Sequence, residues 1–460
     1  MEPRGDRALR VCSWPILLSL TAWASPGRSE PVDDFGSWPS RDGLPVPSET
    51  EPLPPASETP SSAIESSGIA SDDSGFKTDG LTPMRSWSPF ASPGWTPEFR
   101  LAATCHHVSD DYYGIAAVFR LVSGPLYKDV LYYLVVDGLS SWPDYGNLVA
   151  VRTLDASGGT IDSVDCAADS NLSVFVSWSR NSGSNASWVR LTSGSVYGPY
   201  AITYDVCDER FRPRIAWNPA GRVTIAFTGA YEIDFSCSIC LQTFSGMSGT
   251  PYSADAHWMW GDNTPYFWDI EWNGTSRFVM TATARLDGGG FLIGTKTADT
   301  HGYFVDPTER AVTFQSWPNG DDNWPRGQHL VFSPTSRNTY QRTVLVTDRK
   351  TYWLTTDGGL AGSYSGYTSD PTTATTGCEY WGPRYRISHS FTDPGGGADT
   401  TIHRHWNRTA TAPFEVYSLN DAYLPAACSS SDTDTDREVV LVSRSSTSPR
   451  PVFWNLEPED

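Results

Sequence analysis

From Phe99 onward the chain alternates short apolar runs with polar, turn-forming clusters. RPRIAWNPAGRVTIAFTG (212–229) and FWDIEWNGTSRFVMTATA (267–284) show the unit: a strand, a tight NPAG or NGTS turn, and a second strand. Val, Ile, Phe, Trp and Thr favour pleated, half-buried surface, while Gly, Pro and Asn punctuate it, so each unit opens with an antiparallel hairpin. The opening recurs at 99–121, 164–180, 327–348, 384–406 and 424–444, and apolar third strands such as LYYLVVDG, SWVRLTSG and FEVYSLND follow in step. One such unit cannot bury both faces of its own small sheet. Stacking the units in a circle buries them all and leaves only short edges. The pattern therefore predicts an all-β protein, a seven-bladed β-propeller, with six blades as the alternative because the first and last units are the least regular. The last unit lacks room for a fourth strand, which the segment near Ser86 to Trp95 can supply.

The pattern also divides the chain. Arg4, Arg7 and Arg10, an apolar stretch from Val11 to Leu20 and a small-x-small site at Ala22-Trp23-Ala24 predict a signal peptide over 1–24. Residues 25–95 are rich in Pro, Ser, Thr, Glu and Asp and have too few apolar groups to offset their ordering entropy, which predicts a disordered stalk or linker. The propeller then occupies 96–460, and the protein is expected to be secreted or held at the cell surface. No later stretch is long and apolar enough to be a transmembrane segment. With 53 acidic against 33 basic residues and a formal charge of −20, nucleic acid is excluded as a main partner. Export permits disulfides. The cysteines left after cleavage are 105, 166, 207, 237, 240, 378 and 428, an odd number. Cys105 with Cys428, in the first and last units, and Cys166 with Cys207, around the second, are candidate pairs. Cys237-x-x-Cys240 is a redox or zinc half-site by spacing, or simply structural. Asn171, Asn185, Asn273 and Asn407 head glycosylation sequons.

Two short resemblances add to this. Thr355-Thr356-Asp357-Gly358-Gly359 resembles the start of the Asp-box turn of sialidase-like propellers, and Thr297/Asp299/Phe304 and Asp137/Trp142 resemble degraded copies. The resemblance implies a structural role, an Asp tying a hairpin through backbone N–H groups, and marks fold rather than activity. Asp432, Asp434 and Asp436, at alternate positions between two strands, are similar to the D-x-D-x-D calcium loops of integrin-type propellers and EF-hands. That similarity implies calcium as a cofactor, because alternate carboxylates converge on a hard cation, although Arg437 stands where the usual Gly would be.

Candidate site chemistry lies at the starts of the opening strands, which surround the channel of a propeller. Arg100, Arg212, Arg214, Arg326, Arg384 and Arg386 fall there. A ring of guanidinium groups suits a carboxylate or sulfate, which the planar fork binds bidentately. The competing reading pairs each Arg with an Asp of a neighbouring blade. Three function classes follow: a secreted propeller binding an acidic glycan at the channel mouth; a glycan-cleaving enzyme, sialidase-like or a polysaccharide lyase; and an extracellular protein-interaction scaffold. Phe99-Arg100-Leu101 is similar to the sialidase Phe-Arg-Ile-Pro opening, with Ala102 in place of Pro, and Asp110 or Asp111 stands where an acid is needed. A lyase would draw its base from His106, His107, His389, His403 or His405, and His403-x-His405, alternating on one strand, can hold a metal together with His389. Trp258, Trp260, Trp317, Trp324 and Trp381 are sugar-stacking platforms or blade-junction fillers. The catalytic residues stay unassigned.

Overall fold

The structure is a computed structural model that describes residues 81–86 and, in segments, 96–456. Every regular element among the described residues is a β-strand. They form β1 (Leu81–Ser86), β2–β5 (Thr96–Ser109, Tyr112–Ser123, Leu126–Asp137, Leu148–Asp155), β6–β9 (Ile161–Ala168, Val174–Arg180, Asn185–Leu191, Val196–Ala201) and β10–β13 (Phe211–Asn218, Arg222–Ala230, Cys237–Ser245, Pro251–His257). Then come β14–β17 (Pro265–Trp272, Phe278–Arg285, Gly290–Ala298, Arg310–Ser316), β18–β21 (Gln328–Phe332, Thr343–Thr347, Thr351–Leu354, Leu360–Tyr364), β22–β25 (Cys378–Trp381, Arg386–Asp393, Asp399–Trp406, Glu415–Leu419) and β26–β28 (Ala422–Ser429, Glu438–Arg444, Arg450–Leu456).

The first six of these groups, starting with β2–β5, are each a four-stranded antiparallel sheet in chain order, numbered one to six below; the last, sheet seven, has the order β1-β28-β27-β26. The strand completing sheet seven is thus Leu81–Ser86, a little upstream of the 86–95 stretch the sequence offered and inside the segment read as linker. The leading strands β2, β6, β10, β14, β18, β22 and β26 each touch the next, and β26 touches β2, so the sheets close on themselves as in a β-propeller.

Burial within a sheet runs from the centre outward. In sheet two all of β7 is buried, β8 is mixed, and the outermost β9 is mostly exposed. VFVSWSR therefore reads as a continuous run rather than an alternating one, because sheets pack on both of its faces. Each hydrophobic cluster straddles a junction. Val118, Leu131 and Tyr133 of sheet one meet Ile161, Val174 and Val189 of sheet two. Trp188, Phe175 and Phe227 fill the junction of sheets two and three, and Ile239, Leu241, Trp268 and Phe278 that of three and four. Each such side chain contributes about 1.5–3 kcal/mol by leaving water.

Polar staples run between neighbouring sheets. Fully buried Asp129 accepts from Arg120 at 2.7 and 3.1 Å and from the Ile161 backbone N–H at 2.9 Å. Asp165 accepts from the Ile215 N–H at 2.8 Å, and Asp269 from the Leu330 N–H at 2.6 Å. A buried carboxylate is tolerated only when so satisfied, and each bond to it is worth about 1.5–3 kcal/mol. Cys166 and Cys240 are each part of a disulfide bond. Cys207 lies outside the described residues, as do the side chains of Cys105 and Cys428.

Candidate functional site

Five of the seven leading strands share a feature near their starts. The pairing register slips in β2 between Phe99 and Leu101, in β6 between Ile161 and Ser163, in β10 between Phe211 and Arg214, and in β14 between Pro265 and Phe267. β26 slips between Tyr423 and Ala426. Each slip is a bulge-like irregularity that leaves one residue, or two in β10 and β26, outside the ladder, and a bulge re-aims side chains. Arg100, Asp162 and Arg212 sit within three of these bulges. Arg212 has a φ of 45°, the left-handed region that a long side chain rarely adopts, and such strain tends to collect at ligand-contacting backbone.

Sheets two and three bring the predicted arginines against acids. Arg214 Nη1 lies 3.9 Å from Asp165 Oδ1, and Arg212 interacts electrostatically with Asp162. Arg212 reaches solvent, yet burial of its surroundings and then the neighbouring Arg214 charge lower its pKa, while Asp162 draws it back up. Asp162 Oδ1 accepts from Ser179, and the Ser177 hydroxyl donates to the Pro213 carbonyl at 3.4 Å. Besides the indole N–H of Trp188, the junction holds three enclosed side-chain atoms at the strand starts that make no hydrogen bond: Asp162 Oδ2, Ser163 Oγ and Arg214 Nε. Ser163 is only 5 % exposed. It shares a strand face with Asp165, which reaches across to β10. Buried polar atoms without partners are rare in native folds and call for an explanation.

On β14, Glu271 accepts from the Trp272 N–H at 3.1 Å. Its pKa is pushed up to about 8 by burial first, then by Asp269 and more weakly by Asp165, against the opposing Trp272 bond. Asn218 and Asn273 hold equivalent turns, Oδ1 of each accepting two backbone N–H bonds. Counting back two residues sets Glu271 where sheet three has the buried Ala216.

Of the predicted arginines, Arg100 is exposed at its bulge, and Arg212 and Arg214 come together on one strand. Arg326, Arg384, the Arg386 side chain and the calcium candidates Asp432, Asp434 and Asp436 lie outside the described residues, as do Asp110, Asp111 and the five candidate Trp side chains. Asp162, Ser163, Asp165 and Glu271 were missed in the sequence. Their signal was the acid–serine–acid spacing of Ile161-Asp-Ser-Val-Asp165 and a Glu in an apolar strand where neighbouring units carry Ala.

Other sequence candidates also resolve. Asp299 Oδ1 accepts from the His301 and Tyr303 N–H groups at 2.8 and 3.0 Å and so ties its turn; Asp357 and Trp142 lie outside the described residues. Asn273 is 2 % exposed and occupied in its turn, whereas Asn185 is exposed. Among the residues described down to their side chains, no group of three His, Cys, Asp or Glu is placed to hold a metal ion.

No protein-family model matches the chain, and no curated protein matches it. Solved structures similar to it include the Penicillium chrysogenum alpha-L-arabinanase complexed with arabinobiose, at 9 % identity and a TM-score of 0.44, over 83 % of this chain and 98 % of that one. The leech intramolecular trans-sialidase is similar at 10 % identity and a TM-score of 0.43, over 81 % and 70 %. The β-propeller domain of the Pyrococcus furiosus Trilobed protease is similar at 9 % identity and a TM-score of 0.40, over 79 % and 96 %.

Proposed function

We propose that the chain is a secreted or surface-held, seven-bladed β-propeller on a disordered stalk that binds a glycan at the bulged end of its leading strands. The observation that carries this reading is the set of enclosed, unpartnered polar atoms at the junction of sheets two and three: two acceptors, Asp162 Oδ2 and Ser163 Oγ, beside a donor, Arg214 Nε. A sugar offers hydroxyls that both donate and accept, which matches a mixed set better than a lone anion does. Arg212 and Arg214 face Asp162 and Asp165, so this part of the mouth takes hydroxyls. Arg100, Arg326, Arg384 and Arg386 are left, in this reading, to meet the carboxylates of an acidic glycan. Calcium at Asp432, Asp434 and Asp436 belongs to the same proposal, as a brace for the last unit. A chelator that leaves thermal stability unchanged removes it.

The test is a glycan array carrying neutral, sialylated and uronate-containing oligosaccharides, followed by calorimetry with Asp162→Asn and Arg214→Ala. Binding that each substitution weakens about tenfold is expected, the usual worth of a hydrogen bond to a charged group. No binding to any glycan overturns the reading and favours a protein-interaction scaffold. Product formation during the incubation converts it to the glycan-cleaving alternative.

A further inference from the structure

The end of the sheets opposite the bulged strand starts carries exposed rings that the glycan reading does not use. Neighbouring strands are antiparallel, so the third strand of each sheet runs with the leading one, and the turn after it lies where the leading strands finish. Tyr197, Met247, Tyr252, Tyr303 and Leu360 stand in or just after those turns in sheets two to five and are between 42 and 69 % exposed. The turns adjoin one another. A Cβ on Gly249 of sheet three would strike the Tyr200 ring of sheet two, and the Tyr252 ring stacks on His301 of sheet four at 5.5 Å. Thr295 of sheet four donates to the Gly358 carbonyl of sheet five at 2.6 Å. Two of the tyrosines carry a guanidinium, Arg190 at 5.4 Å from the Tyr197 ring and Arg222 at 4.0 Å from the Tyr252 ring. In a third such pair, Arg120 over Tyr127, the positive charge is taken by Asp129. Arg190 and Arg222 instead bond only neutral groups among the described residues, the Ser173 hydroxyl at 3.2 Å and the Thr300 carbonyl at 3.1 Å.

We propose that this arc of tyrosines and arginines is the docking surface for the chain's own stretch 44–60, LPVPSETEPLPPASETP. The stretch holds six prolines, three glutamates and no basic residue. Proline-rich segments in the extended left-handed helix stack on aromatic surfaces at little entropic cost. Glu49, Glu51 and Glu58 supply the carboxylates that the two guanidinium groups lack, through charge-assisted hydrogen bonds. A stretch with too few apolar groups to fold alone orders on docking. The tether fits as well. Leu81 pairs with Leu456 at the finish of β28, and β28 runs parallel to the leading strand β26, so the chain enters sheet seven at the same end as the arc. The twenty residues 61–80 span about 25 Å on average as a flexible coil and about 65 Å at full stretch. A tether of that kind holds the stretch at about millimolar effective concentration, so a weak contact suffices. The surface lies at the end opposite the proposed glycan site and does not depend on that reading.

The experiment is limited proteolysis of the full chain with a glutamate-specific endoprotease. Glu49 and Glu58 are cleavable positions inside the stretch, and Glu65 is one outside it. Each rate is divided by that of the same bond in a free synthetic peptide covering 40–70. Cleavage after Glu49 and Glu58 is expected to be slowed about tenfold, and cleavage after Glu65 left near the peptide's rate, because the protease takes the undocked form. Salt at roughly 1 M, which cuts the reach of exposed charges to about 3 Å, should remove most of the protection without any substitution. The double variant Tyr197→Ala, Tyr252→Ala should remove it too, and Arg222→Gln should weaken it, with circular dichroism confirming that each variant is folded. Added peptide 44–60 should restore cleavage by competition. Equal normalised rates at all three glutamates overturn the inference. So does protection that survives in the folded double variant, which would hold the stretch elsewhere. Protection that rises with chain concentration overturns docking within one chain and assigns the surface to the stretch of a second copy.

Discussion

The junction of sheets three and four and the junction of sheets two and three are built alike from stacked four-stranded sheets, yet they differ in how their polar groups are used. At the former the connecting turn of sheet four is tied down by side chains of sheet three. The Thr300 carbonyl accepts from Asn218 and Arg222 at 3.1 Å each, and the His301 carbonyl accepts from Ser253. The Phe304 N–H donates to Asp255 at 2.9 Å, and the Arg222 guanidinium lies 4.0 Å above the Tyr252 ring, which itself stacks on His301. At the latter, Asp162 Oδ2, Ser163 Oγ and Arg214 Nε, in addition to the Trp188 indole N–H, are enclosed without partners beside a strained arginine. The first junction is latched by the chain's own turn, although it too encloses the indole N–H groups of Trp268 and Trp272 without hydrogen-bond partners. The second leaves a carboxylate oxygen, a hydroxyl and a guanidinium nitrogen unpaired as well as an indole, and that mixed polar set is what sets it apart from the first.

The largest effect should come from breaking the finished junction. Gly302 has a φ of 84°, and a Cβ there would fall 2.0 Å from Thr243 Oγ1 on the neighbouring sheet. Gly302→Ala combines left-handed strain with displacement of the whole turn, so a loss of about 3 kcal/mol or more is expected in denaturant unfolding. Gly221→Ala is the control. Its φ is 75°, but nothing lies within 4 Å of the added methyl, so the loss should be about 1–2 kcal/mol, the backbone cost alone. Equal losses would mean that the turn does not latch the two sheets.

A second test concerns a polar group placed where the neighbouring sheet has none. Glu271 occupies the position of Ala216, and its carboxyl keeps its proton up to about pH 8 against an ordinary 4.5. The folded chain therefore binds a proton that the unfolded chain releases between those values. Its contribution to stability is fully present below about pH 4.5 and is lost as pH rises through about 8. Glu271→Gln should flatten that slope and stabilise the chain by a few kcal/mol above pH 8, with little change at pH 4. A parallel shift at every pH would show that the carboxyl does not titrate there.

These contrasts bear on what the sequence could reveal. The units, their hairpins and the need for an upstream strand in the last one were legible because alternation and turn chemistry are local, with NPAG at 218–221 the clearest case. The location of that strand was less so, since Leu81–Ser86 pairs with a partner more than 360 residues away and only the closed circle selects it. Arg212 and Arg214 were visible as basic residues at a strand start, but not the bulge that turns them, nor the acids facing them. Asp162 and Asp165 lie some fifty residues upstream on a different sheet, and the spacing that unites them with the arginines exists only after the sheets stack. His389 and His403 were recognisable as strand histidines, while their direct opposition is a matter of register.

The smallest expected effect is also the most discriminating. Ser163 Oγ is buried without a partner, a condition that costs the folded chain about 1–3 kcal/mol. Ser163→Ala removes the atom and leaves the strand's shape, so it should raise stability by about 1 kcal/mol. If the hydroxyl exists to meet a sugar, the same substitution should weaken glycan binding by about fivefold, the equivalent of about 1 kcal/mol. Stability and affinity would then move in opposite directions on deletion of one oxygen, as happens where a site is kept poised at the expense of the fold. Destroying the ligand's vicinal diols with periodate should abolish the difference between wild type and variant. A variant that gains stability and binds as before would show the hydroxyl to be a tolerated flaw, and the two junctions would then differ in packing alone.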